Sequence, residues 1–563
     1  MADWLVQPRL CRISRAGRTA HVRPKLVDLL HFLASNQGRV VGKDEILEQV
    51  WHGEFVVESV LARSVADLRH ILHDRAATPR VIETIPKRGY RLIAPVQWIA
   101  TDDRSTVPSL AVLPFANLGP DGGEQYFCDG MTEELTNALA GVPGLRVIAR
   151  TSAFVFRDRA IDLREVGRRL GVGHVVEGSV RRADGALRVT VQLIDASDGC
   201  HRWSRRFDRP SGDVFVMQDE IAHAIAAELE VTLLRDHEAG LAPRHTPDMA
   251  AHDLYLRGRY VFALRTATAL ATATDYFERA IERDAGYAPA HAGLADSYAH
   301  RAFLGHLSPA QGFAKAIAAA RRSLELDAML VEGHAVLAVA MHVYSWQWKE
   351  AECEFRRAIE LAPSSSVAHV GYSNLLATLG RADEATAEAE LAERLDPLSL
   401  LVRVCVALRY TESRKFDRAM QHLRTTLSMN PAFGTVQLHL GRVLWATGRY
   451  EEALAALQHA PLDLPLARGL LGAVLGRLGR RDEAGEILAE LDRLSTERHV
   501  GAVPLALVHQ GLGDLEAALE WYTKAFDARE AILTVLVVDP VTDILRGNRK
   551  FARLVERMHL PEA

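Results

Sequence analysis

The sequence has few of the features that mark secreted, metal-binding or membrane proteins. Its cysteines are only five in 563 residues, are far apart, and form no CxxC or Cys/His cluster. A disulfide framework and a zinc site are therefore not expected. The first residues lack the apolar core of a signal peptide, and no apolar run approaches the roughly 18 residues that a membrane span needs. We expect a cytoplasmic protein that does not enter a membrane.

Motifs of the common enzyme classes are also missing. The chain has no GxxxxGK phosphate loop, no GxSxG elbow and no HExxH pair. The stretch "GVGHVVEG" (171–178) lacks the third-glycine spacing of a dinucleotide site and precedes predicted strands, so we interpret it as a turn. His174 and Glu177 within it could form an acid/base pair, but positions at a strand edge explain them more simply. We predict that the protein is not an enzyme and holds no cofactor or metal.

Charge is unevenly distributed along the chain. The net charge is −5, yet residues 1–98 hold 15 Lys and Arg against 10 Asp and Glu. The remainder is therefore acidic. A modestly basic head on an acidic body suggests that only the head meets a polyanion.

Residues 1–98 contain the elements of a winged-helix domain. Strand-like alternation up to residue 23 precedes three amphipathic segments, near 24–37, 42–51 and 56–74. The third segment repeats its apolar residues at steps of 4, 3 and 4, which predicts one buried helical stripe. That stripe consists of Leu61, Val65, Leu68 and Leu72. At ~100° per residue, the opposite face carries Ser59, Arg63, Ala66 and His70, with Asp67 beside them.

The stretch "PRVIETIPKRGYRL" (79–92) follows these helices. Two strand-like runs flank a tip at which Lys87 and Arg88 precede Gly89. Alone, the third helix could be an ordinary amphipathic helix with a solvated face. Three helices followed by a ribbon with a cationic tip predict a winged helix, whose third helix enters the DNA major groove. The tip would then offer its cations to phosphates or to the minor groove.

These motifs resemble the OmpR/PhoB-type effector domain across residues 5–95. By position, the resemblance implies that Arg63, Ser64, Ala66 and Asp67 approach bases, and that Arg69, Thr84 and Tyr90 contact phosphate. Lys43, at the start of the second helix, could meet phosphate through its charge and the helix N-terminus. Ala66 and Asp67 stand where several members carry basic residues. Asp67 would repel phosphate unless it accepts a hydrogen bond from a cytosine amine.

A polar linker is predicted at 99–108, followed by a small α/β domain at 109–240. Helical spacing at 124–141, 162–171 and 214–234 alternates with apolar strands at 109–115 and 145–150. The turns "ADG" and "SDG" divide residues 174–208 into a three-stranded meander. The motifs "AVLPF" and "VEGSVRR" resemble the FlgO/TolB N-terminal-like domain.

From about residue 250 a period of 34 residues replaces the strands. Small residues recur with this spacing at Ala351, Ala385, Ala419 and Ala453, and Pro363, Pro397 and Pro431 keep the same spacing independently. Two markers with one period predict tetratricopeptide repeats, because a small residue lets two helices approach and a proline ends the second. About eight repeats are expected at 250–530, with related positions at Ala273, Ala316, Ala484 and Ala518. Residues 531–563 are predicted to cap the array.

The expected fold class is therefore multidomain: a winged helix (α+β), a small α/β domain and an all-α solenoid. With no receiver domain ahead of the effector domain, control by aspartyl phosphorylation is not expected. The domain order resembles bacterial CadC/HilA-like regulators, and the HilA-like form is nearer because no membrane span is predicted. The resemblance implies a sequence-specific regulator that binds double-stranded promoter DNA, while the middle domain and repeats sense a signal, bind a protein or self-associate. The alternative is a tetratricopeptide scaffold whose winged-helix head binds protein. Trp346 and Trp348 are either partner anchors or interhelical packing residues.

Overall fold

The computed structural model describes most of the chain in two compact units, Met1–Val107 and Pro108–Ala563. Lys87 and most of the predicted linker lie outside the described residues, as does the side chain of Ser59. The described ranges are 4–7, 12–15, 18–21, 24–51, 58–86, 88–96, 107–119, 124–157, 162–183, 185–229 and 246–560.

The first unit is a winged helix. Its elements are β1 (Leu5–Gln7), β2 (Arg12–Arg15), β3 (Arg18–His21), α1 (Pro24–Ser35), α2 (Lys43–Trp51), α3 (Glu58–Ile71), β4 (Ile82–Ile85) and β5 (Gly89–Leu92). Strands β1, β2 and β3 form an antiparallel sheet, and β4 and β5 form the ribbon called here the wing. The stripe predicted on α3 is buried throughout, with Leu61, Val65, Leu68 and Leu72 each at most 4% exposed. These residues pack with leucines of α1 in one core.

The second unit begins with an α/β layer. Its strands are β6 (Ser109–Val112), β7 (Ala116–Asn117), β8 (Arg146–Val147), β9 (His174–Ala183), β10 (Ala186–Asp195) and β11 (His201–Pro210). Its helices are α4 (Gln125–Ala140), α5 (Arg150–Ala153), α6 (Leu163–Leu170) and α7 (Val214–Glu228). The sheet order is β11-β10-β9-β6-β8, with β7 also on β9. Strands β9, β10 and β11 form the predicted antiparallel meander, and β6 runs parallel to β9.

Between residues 246 and 560 the chain forms eight helical hairpins. Their helices are α8 (Met249–Phe262), α9 (Ala267–Arg283), α10 (Ala288–Phe303), α11 (Pro309–Leu326), α12 (Val331–Ala340), α13 (Trp348–Leu361), α14 (Ser366–Thr378), α15 (Ala382–Leu395), α16 (Leu400–Glu412), α17 (Phe416–Met429), α18 (Thr435–Ala446), α19 (Tyr450–Leu457), α20 (Pro465–Arg477), α21 (Arg481–Glu497), α22 (Ala502–Leu512) and α23 (Leu515–Asp527). A π-helical turn, Met341–Ser345, extends α12. All eight periodic alanines, from Ala273 to Ala518, lie on second helices and are at most 1% exposed. The all-α repeat prediction is confirmed.

The α/β layer and the repeats pack against each other within the second unit. The Ser152 hydroxyl donates to Asp396 Oδ1 over 2.5 Å and accepts from the Leu398 amide over 2.8 Å. On α4, Glu133 forms an ion pair with Arg259 of α8. Apolar residues of α4, α7, α8 and α9 share one core with the sheet. The elements on either side of the predicted boundary near residue 240 therefore share their packing.

After the last hairpin the chain continues as α24 (Leu533–Leu536), a 3₁₀ turn (Pro540–Leu545) and α25 (Arg549–Glu556). Helix α25 packs on α23, where Phe551 meets Tyr522 with ring centroids 6.4 Å apart. Residues before α25 also contact earlier hairpins. The predicted capping segment therefore packs against several hairpins and not only against the last one. No helix among the described residues is long and apolar enough to cross a membrane.

Candidate nucleic-acid interface

The outer face of α3 is a narrow exposed surface. Arg63, Ala66 and His70 are exposed on it, and Asp67 is half-buried at its edge. Val60, which the sequence reasoning did not select, is 41% exposed. In the sequence, Val60 can be recognised as an apolar residue of α3 that lies outside the buried stripe. Small and apolar side chains beside one arginine form a surface that can enter the major groove and contact base edges and thymine methyl groups.

Ser64 and Tyr90 are placed differently from the other candidates. Ser64 is 9% exposed and Tyr90 7% exposed. Ser64 lies only ~40° around α3 from the buried Leu68 at ~100° per residue, so its side chain turns towards the core. Tyr90 packs in the same core as Leu68. Both side chains are therefore largely buried, and the base contact predicted for Ser64 and the phosphate contact predicted for Tyr90 stay predictions.

Arg69 connects α3 to the wing. Its Nη2 donates to the Ile82 carbonyl and to Thr84 Oγ1, both over 2.8 Å. The Arg69 side chain is 12% exposed, whereas Thr84 is exposed. Arg69 therefore holds the first wing strand against α3, and the phosphate contacts predicted for Arg69 and Thr84 stay predictions.

Asp74 reinforces the same junction and was missed in the sequence. Its carboxylate accepts from the Arg80 amide over 2.7 Å and from the Ile82 amide over 3.0 Å. It also lies 3.9 Å from Arg69 Nε. An acidic residue just after a helix gave no signal of this role, because its amide partners follow six and eight residues later. The carboxylate orders the turn that sets the wing's position relative to α3.

The base of the wing is tied to the segment between α1 and α2. Tyr90 and Val41 exchange backbone hydrogen bonds of 3.0 and 2.8 Å, and the Gly38 amide donates to the Leu92 carbonyl over 3.0 Å. Gly89 makes this approach possible, since a Cβ there would stand 1.9 Å from the Val41 carbonyl oxygen at a φ of +137°. Arg88, which follows Lys87 in the sequence, is exposed. At least one of the two predicted wing cations is thus presented to solvent.

Lys43 begins α2 and is half-buried. Asp44 and Glu45 follow it in the first turn, and Glu45 pairs with Arg39. These carboxylates reduce the attraction of this helix terminus for phosphate. The phosphate contact predicted for Lys43 therefore rests on its own charge.

In the second unit, the adjacent Glu133 and Glu134 of α4 lie close to α8, which carries the buried His252. Burial raises the pKa of Glu134 to about 8, although the Gln218 amide donates to its carboxylate. His252 Nε2 lies 3.8 Å from this carboxylate. The neighbouring Glu133 behaves oppositely: Arg259 and Arg150 lower its pKa against the effect of burial. The pKa values of these two adjacent carboxyl groups are therefore shifted in opposite directions.

Comparison with known proteins identifies two parts of the chain. Residues 17–92 match the family described as "Transcriptional regulatory protein, C terminal", and residues 410–478 and 505–532 match tetratricopeptide-repeat families. "Putative adenylate cyclase 3" of Rhizobium meliloti (strain 1021) is 37% identical over 249 residues, which are 44% of this chain and 42% of that protein. "Transcriptional activator CadC" of Escherichia coli (strain K12) is 39% identical over 104 residues, 18% of this chain and 20% of that protein. "Transcriptional regulator HilA" of Salmonella typhi is 23% identical over 390 residues, 68% of each.

The N-terminal unit is therefore an OmpR/PhoB-type winged-helix DNA-binding domain. Its combination with C-terminal tetratricopeptide repeats is CadC/HilA-like. The match spans less than half the length of the first two relatives. The FlgO/TolB-like identity of the α/β layer stays a prediction. The absence of enzyme activity also stays a prediction, and the cyclase activity in the name of the Rhizobium protein is said of that protein alone.

Proposed function

We propose that this protein is a cytoplasmic transcription regulator that binds specific promoter DNA through α3 and the wing. In this proposal the α/β layer and the repeats form the module that receives a protein partner, a second copy of the chain or another signal. In this proposal Arg63 determines which DNA sequence is preferred, while Lys87 and Arg88 attract phosphates of any sequence.

The observation that carries the proposal is the exposed face of α3 beside a wing fixed in place. Arg63, Ala66 and His70 are exposed on one side of a helix whose other side is fully buried. Arg69 and Asp74 hold the wing against that helix through hydrogen bonds to Ile82. A protein-binding head would not require a helix face this slim next to a cationic tip. These features support DNA over the scaffold alternative.

The test is genome-wide footprinting of the full chain beside an Arg63→Ala/Arg88→Ala variant. The matched control is Arg418→Ala/Arg424→Ala, which removes two exposed arginines from α17. We expect discrete sites for the wild type and the control, and their loss in the first variant. A wild type without discrete sites would favour the scaffold alternative and contradict the proposal.

A further inference from the structure

The C-terminal segment lies against the first helices of the hairpins. Helices α12, α14, α16, α18, α20 and α22 each contact the next in this series and form one continuous layer, called here the first-helix layer. The array of hairpins curves back on itself. Trp346, which follows α12, therefore meets Phe526 of the last hairpin helix, α23, with ring centroids 4.9 Å apart. Both tryptophans of the third hairpin face their own chain: Trp348 Nε1 donates to the Met558 carbonyl over 3.0 Å.

Polar side chains of the first-helix layer bind the segment 533–545 at successive points. Thr378 Oγ1 of α14 lies 3.3 Å from the Thr534 carbonyl oxygen and shares its proton between this acceptor and the Asn374 carbonyl. Arg442 of α18 forms an ion pair with Asp539. The Arg442 side chain is 8% exposed and the Asp539 side chain 1% exposed. Gln510 Nε2 of α22 donates to the Val541 carbonyl over 2.6 Å. Three hairpins thus contact two backbone carbonyls and one carboxylate of a short segment.

These contacts are of the kind that bind a peptide. Backbone carbonyls accept hydrogen bonds from any sequence, while the carboxylate and the aliphatic side chains around it supply selectivity. Leu536, Val541 and Leu545 of the segment are each at most 5% exposed. Without Asp539, the buried Arg442 would lose its partner carboxylate, which is costly for a charge held away from water. The layer therefore favours an occupant that carries an acid at this point.

The segment does not fill the surface that it covers. A cavity of about 370 Å³ remains between Val538 of the segment, the adjoining Arg546, and Arg409 and Glu412 of α16. Arg409 Nε and Glu412 Oε2 border it and have no hydrogen-bond partner among the described residues. Arg409 and Glu412 side chains are only 2% and 6% exposed. The unfilled space makes this contact less tightly packed than a protein core, so the segment can leave at lower cost.

We propose that the first-helix layer is a segment-binding groove, that residues 533–545 are its resident ligand, and that a partner protein's segment with an aspartate between aliphatic residues exchanges with it. This inference rests on the proposed role of the repeats as an interaction module. It adds the chemistry of the partner: aliphatic residues, then an acid over Arg442, then carbonyls facing Gln510. The chain's own segment keeps the groove closed until such a partner is present.

The test uses the full chain and a fluorescent peptide of residues 531–547. In the Asp539→Lys chain the resident segment is repelled by Arg442, so the native peptide should bind at least about tenfold tighter than it binds the wild type. The control is Glu520→Lys, the same charge change at an exposed position of α23. It should bind the peptide as weakly as the wild type does.

A second chain, Arg442→Glu, makes the test independent of misfolding. It should bind a peptide carrying Asp539→Lys and reject the native peptide, whereas the Asp539→Lys chain should show the opposite preference. A misfolded chain would not exchange its preference in this way. Equal binding of both peptides, or binding of neither by both variants, would overturn the groove. Retention of discrete DNA sites in the same variants would show that such a failure concerns the repeats and leaves the DNA-binding proposal intact.

Discussion

Replacing Gly89 by alanine is expected to release the wing from the rest of the winged-helix domain. The new Cβ would stand 1.9 Å from the Val41 carbonyl oxygen and 2.9 Å from its carbon. Both are backbone atoms, so no side-chain rotation can relieve the overlap. The change also places a side chain at a φ of +137°, where residues other than glycine are strained.

The free energy of unfolding that this change removes follows from the same contacts. Backbone strain at such a φ costs about 1–3 kcal/mol. The two hydrogen bonds between Val41 and Tyr90, of 2.8 and 3.0 Å, contribute about 1 kcal/mol each. The total is about 3–5 kcal/mol, against roughly 5–15 kcal/mol for a domain of this size. A large share of the domain's stability is therefore at stake.

Hydrogen exchange followed by mass spectrometry measures this loss in the full chain. Amides of the wing strands in Gly89→Ala should exchange faster by a factor of about 100 or more. The matched control is Gly38→Ala, where φ is +78° but nothing lies within 4 Å of the added Cβ, so only about 1 kcal/mol of strain is expected. If the two variants protect the wing equally well, the close approach between Gly89 and Val41 has no energetic role and the reasoning fails.

Three further predictions concern other parts of the chain. Arg69→Ala removes two hydrogen bonds of 2.8 Å and should lower the wing's opening free energy by about 2 kcal/mol, seen as faster exchange in β4 with little change in β11. Glu134 is protonated in the folded chain up to about pH 8, against an ordinary value of 4.5, so folding binds a proton and the free energy of unfolding falls as pH rises between these values. Glu134→Gln should therefore raise the free energy of unfolding at pH 8 by about 4 kcal/mol, seen as a higher Tm. The gain should vanish towards pH 4.5, and a gain that stays constant with pH would contradict the assigned pKa. Ala419→Leu overfills a position that is 0% exposed and should cost about 1–3 kcal/mol in chemical denaturation, whereas Ala432→Leu, at an exposed turn, should be nearly neutral.

The periodic parts of this structure could be predicted from the sequence because their signals are local. The apolar steps of α3 and the 34-residue spacing of alanines follow from helix geometry. Both place residues on a buried face, as the exposures of Leu68 and Ala419 show. The meander at 174–208 is likewise predicted by alternation and turns. In the structure its last strand ends two residues later, at Pro210.

The remaining features depend on contacts between distant segments. Arg442 and Asp539 are nearly a hundred positions apart and meet only because the hairpins curve back. Likewise, Arg69 reaches Thr84 through the packing of the wing on α3, so a residue assigned to phosphate also holds the domain together. Ser64 lies at the edge of the buried stripe, where a rotation of a few tens of degrees decides exposure. Sequence periodicity does not resolve a difference of that size.

The binding of the full chain to sites recovered by footprinting tests the central proposal most directly. Affinity should be measured at several salt concentrations for the wild type, Arg63→Ala and Arg88→Ala. We expect Arg63→Ala to weaken the preferred site by about 1–3 kcal/mol and to relax its sequence preference. Arg88→Ala should weaken all sequences similarly and reduce the salt slope by about 1. Unchanged affinity in both variants would contradict the assignment of α3 and the wing as the DNA-binding surface.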